Sequence, residues 1–188
     1  MASKTVLKLA LDSLKERLER NDNAIEIYLG NGTTSKVTCR FNNPLTDQEL
    51  ENFIEQYDLV LPIDYRRFLL MHDGAKLFFD PYYGGEFELF NIETIIDILN
   101  NRDFPENWLI VGYHYGQDLV IDMDRVIEDR KDYLLYRDSC SPADEAHDIG
   151  MNFEIWLERC IQSQRAAFWE WDKFNVDSYY KTRGLKYE

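Results

Sequence analysis

His114, Asp118, Asp122 and Asp124 fall close enough along the chain to do chemistry together. Clustered carboxylates beside an imidazole can hold a divalent cation or move protons, so these four define a metal-dependent hydrolase as one reading. The same spacing also has a plainer meaning. On a strand, Asp118, Asp122 and Asp124 share one face by period two, as on the wet side of an antiparallel sheet. The three histidines, His72, His114 and His147, match no HExxH, HxxxH or Cys/His pattern. His72 lies on the inner stripe of a helix and reads as a satisfied, semi-buried residue; His147, beside Asp148 and ahead of a helix, reads as part of a cap region. Cys39, Cys140 and Cys160 are odd in number and lack CxxC spacing, which points to reduced thiols. A GxSxG elbow, GxGxxG and GxxxxGK are all absent. The sequence therefore assigns no catalytic residue, no metal ligand and no cofactor.

A different chemistry is suggested by Phe79-Asp80-Pro81-Tyr82-Tyr83-Gly84-Gly85-Glu86, where aromatic rings sit between acidic residues in a loop. Loop tyrosines suit protein interfaces because they bury much area at little rotamer cost and keep a polar tip. Asp80, Tyr82, Tyr83 and Glu86, with the acidic positions Asp118, Asp122, Asp124, Glu128 and Asp129, form the candidate partner-binding set.

The elements that must position these residues follow from periodicity. Leu7, Leu11, Leu14 and Leu18 form the apolar stripe of an amphipathic helix. Residues 24–29 and 36–41 read as strands joined through Asn31-Gly32, a pair suited to a tight hairpin, with Val37, Cys39 and Phe41 on one face. After Pro44, Thr46 and Glu49 form a capping box for a helix carrying Leu50, Phe53, Ile54 and Tyr57. A second helix begins at Leu61-Pro62, with proline at its first position, and ends at Gly74. Residues 86–90 begin as an alternating strand, and Asn91 caps a helix with Ile92, Ile95, Ile96 and Leu99. Strands follow at 108–113, 118–123 and 132–136, the first two paired through Tyr115-Gly116-Gln117. A helix over 151–162 buries Phe153, Trp156, Leu157 and Cys160, and the aromatic tail reads as one more helix. The order predicts an α+β fold, a mainly antiparallel central sheet flanked by helices. One domain spans 1–188: a helix-plus-hairpin extension over 1–44, a body over 45–165 and an aromatic C-terminal helix over 166–188.

Composition narrows the function classes. The chain has 188 residues, 45% hydrophobic, with 21 basic and 35 acidic side chains and a net charge of −14. That balance disfavours direct nucleic-acid binding and an anionic membrane surface and favours a basic partner. With no apolar run of spanning length and no signal core, a cytoplasmic protein is expected. The acidity is concentrated: residues 44–165 hold 10 basic and 26 acidic side chains, while residues 1–43 hold 7 and 5.

Several segments carry a resemblance. Leu45-Thr46 to Tyr57, followed by Leu61-Pro62-Ile63-Asp64-Tyr65-Arg66-Arg67-Phe68-Leu69 and Asp73-Gly74, resembles the opening "helix, LPxDYxxFL, NGG" of the SUKH superfamily, the Smi/Knr-like proteins. Trp108 to Gly112, then Gly116 to Asp122, is similar to that family's central hairpin, and Asn152-Phe153-Glu154-Ile155-Trp156-Leu157 to its closing "SFxEWL" helix. Asp73-Gly74-Ala75 departs from Asn-Gly-Gly, and Asn152 stands where serine is common. The resemblance covers about residues 45–165. It implies a SUKH-like fold and, in bacteria, an intracellular immunity protein that binds and neutralises a polymorphic toxin, often a nuclease with a basic surface. It also leaves a regulatory scaffold as an alternative, beside the hydrolase above.

Overall fold

Helix α1 (Val6–Glu19) turns its predicted stripe inward, and Leu7, Leu11, Leu14 and Leu18 are all buried. A computed structural model describes residues 5–30, 32–85, 87–142 and 145–173, with Val176, Lys181 and Gly184. Then come β1 (Ile25–Gly30), β2 (Thr33–Phe41), α2 (Asp47–Tyr57), α3 (Ile63–Leu69), β3 (Ala75–Phe79), β4 (Phe87–Leu89) and α4 (Ile92–Asn100). The chain continues with β5 (Trp108–His114), β6 (Gln117–Asp122), α5 (Met123–Ile127), β7 (Leu134–Asp138), β8 (His147–Asp148), α6 (Phe153–Gln162) and a 3-10 turn (Phe168–Lys173).

The eight strands form one sheet in sequence order, every neighbouring pair antiparallel, in keeping with the α+β expectation. This order has a geometric consequence, because antiparallel connections leave alternate ends of the sheet. The connections β1–β2, β3–β4, β5–β6 and β7–β8 all lie at one end, here the turn end, and contain no α-helix among the described residues. Those carrying α2 and α3, α4, and α5 all lie at the other, the helix end.

The main core fills one face of the sheet, where Leu109, Ile121 and Leu134 lie side by side and meet Phe68, Phe153 and Trp156. The opposite face carries a smaller cluster of Phe104, Trp108, Ile110, Val120 and Leu135. Local signals act as expected at Thr46, whose hydroxyl accepts from Glu49 N (3.2 Å) while Glu49 Oε2 accepts from Thr46 N (2.8 Å). Asn91 and Asn152 likewise accept from Thr94 N and Ile155 N at the starts of α4 and α6.

Several local expectations change. Pro62 is the N-cap of α3, which ends at Leu69, short of Gly74. Gly74 instead opens β3, a strand the sequence pattern had not revealed; its φ is +81°, and a Cβ there would approach Asn91 N and Leu89 O to 2.7 Å. Residues 123–127 form α5, and His147 lies in β8, its ring tilted against that of Tyr136 at 5.1 Å, and in no helix cap. The described start of the aromatic tail is a 3-10 turn, and Val176 and Lys181 beyond it are helical; apart from these and Gly184, residues 174–188 lie outside the described residues.

The LPxDY-like stretch gains a physical meaning from Asp64. This buried carboxylate accepts from Tyr65 N (3.0 Å), Tyr133 Oη (2.5 Å) and Glu154 N (3.1 Å), and Tyr133 Oη accepts from Phe153 N (2.9 Å). Glu154 Oε2 in turn accepts from Leu7 N (3.2 Å). Asp64 thus ties together the starts of α3 and α6 and the approach to β7, Glu154 carries the link on to α1, and burial beside Asp64 pushes the Tyr133 phenol far above its ordinary range.

Candidate functional site

At the turn end, Asp80 organises the β3–β4 loop. Its Oδ1 accepts from Tyr82 N (2.8 Å) and Tyr83 N (3.0 Å), and its Oδ2 accepts from Ser35 Oγ (3.1 Å). Backbone amides donating to its carboxylate hold Asp80 below the usual range. The loop closes through paired backbone bonds between Asp80 and Gly84, and Tyr82 and Tyr83 are left 91% and 93% exposed. Neighbouring turns supply further exposed side chains that the sequence reading did not select. Tyr28 and Leu29 project from the end of β1, and Tyr28 Oη accepts from Gly32 N (3.1 Å). Tyr115 projects from the β5–β6 turn, where φ is +45° at Tyr115 and +89° at Gly116, the twist a two-residue hairpin prefers. The available signal was the alternation of Glu26 and Tyr28 with buried Ile25 and Ile27, and the aromatic residue beside a turn glycine.

The segment after α6 braces these turns from behind. Gln164 Oε1 accepts from Tyr28 N (3.4 Å), Arg165 Nη1 donates to Phe78 O (2.8 Å), and His114 Nε2 donates to Arg165 O (2.7 Å). Gln117 donates to Glu170 (2.6 Å) and accepts from Trp169 Nε1 (3.2 Å). His114 sits between Phe87, Tyr115 and Trp169, and burial lowers its pKa below the ordinary imidazole value.

The aspartates chosen for their spacing take other roles. Asp118 is 9% exposed, and its Oδ2 receives Arg137 Nε (3.1 Å) and Nη2 (2.7 Å) while its Oδ1 receives Ser139 Oγ (3.0 Å). Asp122, also 9% exposed, accepts from Asp124 N (3.1 Å), Arg125 N (3.4 Å) and Asn107 Nδ2 (3.2 Å) and pairs with Arg125. The wet sheet face expected from the spacing is therefore corrected for both: each is buried and already engaged, one as an ion pair and the other as the cap of α5. Asp124 belongs to α5, not to the strand, and with Glu128 and Asp129 it is exposed at the helix end. Five residue steps of β6, roughly 17 Å, separate that end from the turns, so Asp80, Tyr82 and Tyr83 do not join Asp124, Glu128 and Asp129 in one patch. Glu86 lies outside the described residues.

The hydrolase alternative is not assembled either. His114 packs on the main-core face at the turn end, Asp118 bonds Arg137 on the opposite face, and Asp122 caps a helix at the far end. Among the described residues no group of three His, Cys, Asp or Glu side chains is arranged to hold a metal ion. The cleft above Asp118, about 490 Å³, has walls including Phe90, Ile98 and Phe104. Cys39 is half-buried, its Sγ accepting from Phe78 N (3.3 Å), and burial pushes its thiol up to about 11. No helix among the described residues is long and apolar enough to cross a membrane.

Comparison with known proteins places this architecture. Residues 44–159 match the model of the SMI1/KNR4 family (SUKH-1). The chain is 31% identical over 145 residues to YnaB of Bacillus subtilis strain 168, an uncharacterized protein, covering 77% of this chain and 95% of that one. It is 30% identical over 181 residues to YobM of the same strain, also uncharacterized, covering 92% and 96% of the two chains.

Proposed function

The chain belongs to the SMI1/KNR4 family, and from that membership we propose that it is an immunity protein, an antitoxin that binds a polymorphic toxin domain inside the cell and blocks it without turnover. The toxin is a basic domain, a nuclease, whose positive substrate-binding surface the acidic protein covers. The observation that carries this reading is the state of the acidic side chains within the matched region. Glu55, Asp58, Asp97, Asp103 and Asp124 are exposed, and among the described residues none of them forms an ion pair. Charges left unpaired on a surface create a field that attracts an oppositely charged partner and accelerates encounter. Speed suits an inhibitor that must act before its target does damage.

The test is co-expression. The chain is produced in bacteria carrying a library of polymorphic-toxin C-terminal domains, and relief of growth arrest by one basic nuclease domain is the expected result. Purified complex should then associate more slowly as salt is raised from 50 to 500 mM. A chain that relieves no arrest, or relieves it while destroying the toxin catalytically, overturns the proposal.

A further inference from the structure

We infer that the surface meeting the partner is the row of helix-free turns, with Tyr28, Leu29, Tyr82, Tyr83 and Tyr115 as its contact residues and Asp80 as the residue that positions two of them. This rests on the reading above and deepens it by choosing between the two ends that the acidic residues had left open.

The choice follows from topology. Strands lie roughly 4.8 Å apart, so the β1–β2, β3–β4 and β5–β6 turns follow one another at roughly 10 Å across the sheet, in steps, because β1 pairs with Thr33 to Val37 and β3 only with Thr38 to Phe41. Three turns in a row span roughly 20 Å, the scale of one side of a standard protein interface. Each presents an exposed tyrosine, and four of the chain's 12 tyrosines and five of its nine glycines fall within segments 28–34, 80–86, 115–116 and 139–146. Tyrosine anchors carried on short Gly, Ser, Thr and Asn turns are what antibody loops use: rings with few rotors give area, and small residues allow fit.

The occupant follows from charge. The four segments contain no Lys or Arg. Asp80 and Glu145 place negative groups among them, and the faces of the tyrosine rings attract cations. Arg165 already lies on the Tyr115 ring, 5.3 Å from its centroid, as an intramolecular example of that contact. The surface thus fits a protein domain that displays arginine and lysine. The brace from Gln164 to Glu170 holds the turns before contact, so little ordering is left for binding.

The probe is the toxin domain whose arrest the wild-type chain relieves. Binding is measured for the wild type, for Y82S/Y83S/Y115S and for the helix-end variant D124K/E128K. In parallel, p-benzoylphenylalanine is placed at positions 28 and 83 and, as controls, at 58 and 124. The expected result is at least a 100-fold rise in Kd for the tyrosine variant with its fold retained by circular dichroism, less than a 5-fold rise for the helix-end variant, and crosslinks to the toxin from 28 and 83 only. A tyrosine variant that binds within 3-fold of wild type, or crosslinks from 58 or 124 alone, overturns this surface while leaving the immunity reading standing. A wild-type chain that relieves no toxin overturns both.

Discussion

The two ends of the sheet spend their polar groups differently. At the helix end, acids hold the chain together: Asp64 and Glu154 between them join three helix starts, Asp122 caps α5, and Arg125 bridges Asp122 and Asp148. At the turn end, the polar groups of Asp80, Gln164 and Arg165 fasten backbone to backbone, and the tyrosine rings stay outside. An antiparallel sheet in sequence order sends alternate connections to opposite ends, and here the connections at one end carry α2 to α5.

The sharpest way to break that contrast is Asp64→Ala. It leaves Tyr133 Oη, Tyr65 N and Glu154 N without their acceptor, and a loss of about 3 to 5 kcal/mol in urea unfolding is expected. A loss under about 1 kcal/mol would mean that the helix end is not held by its acid network. Next in size is the buried pair on the second face. Asp118→Ala strands Arg137 and should cost about 3 kcal/mol, whereas D118L/R137M, which removes both charges, should fall within about 1 kcal/mol of wild type. Equal losses in the two variants would show that the pair stabilises through attraction and not merely through mutual need.

The smallest effect concerns pH and compares one histidine from each end. His72 accepts from Lys15 Nζ through Nε2 (2.6 Å) and donates through Nδ1 to Asn42 O (2.9 Å), so it is held neutral. Burial first, and Lys15 among the other causes, lowers its pKa, as burial first lowers that of His114. The unfolded chain therefore binds protons before the folded one does. Stability is full above about pH 6.5 and falls as the pH drops through that value towards the lower folded-state pKa values. H72Q and H114Q should each flatten the fall in thermal midpoint over this window; an unchanged profile in both would assign the acid sensitivity elsewhere.

Much of this plan could be read from the sequence where a signal is local. The stripe of α1, the capping box at Thr46, the Asn91 cap and the Tyr115-Gly116 turn each need only neighbours within a few residues. The aspartates were misjudged because what decides their burial is distant. Arg137 lies nineteen residues beyond Asp118, and period two reports a shared face without saying whether that face is covered. Helix α5 stayed hidden because five residues carry too little periodicity, and the cap that starts it, Asp122, looked like the end of a strand. For the candidate surface, Tyr82 and Tyr83 were legible as a loop pair. Tyr28 and Tyr115 joined them only once strand order set the turns side by side.

The reach of α1 into the body has a practical bearing on how the family boundary should be understood. Its four leucines share a core with Phe153 and Trp156, and its first turn is tied to Glu154, although it precedes the matched residues. Clipping an expression clone to residues 44–159 would strip that lid from α6 and leave a greasy trough open to solvent, so inclusion bodies, not a minimal soluble fragment, are what such a clone should yield.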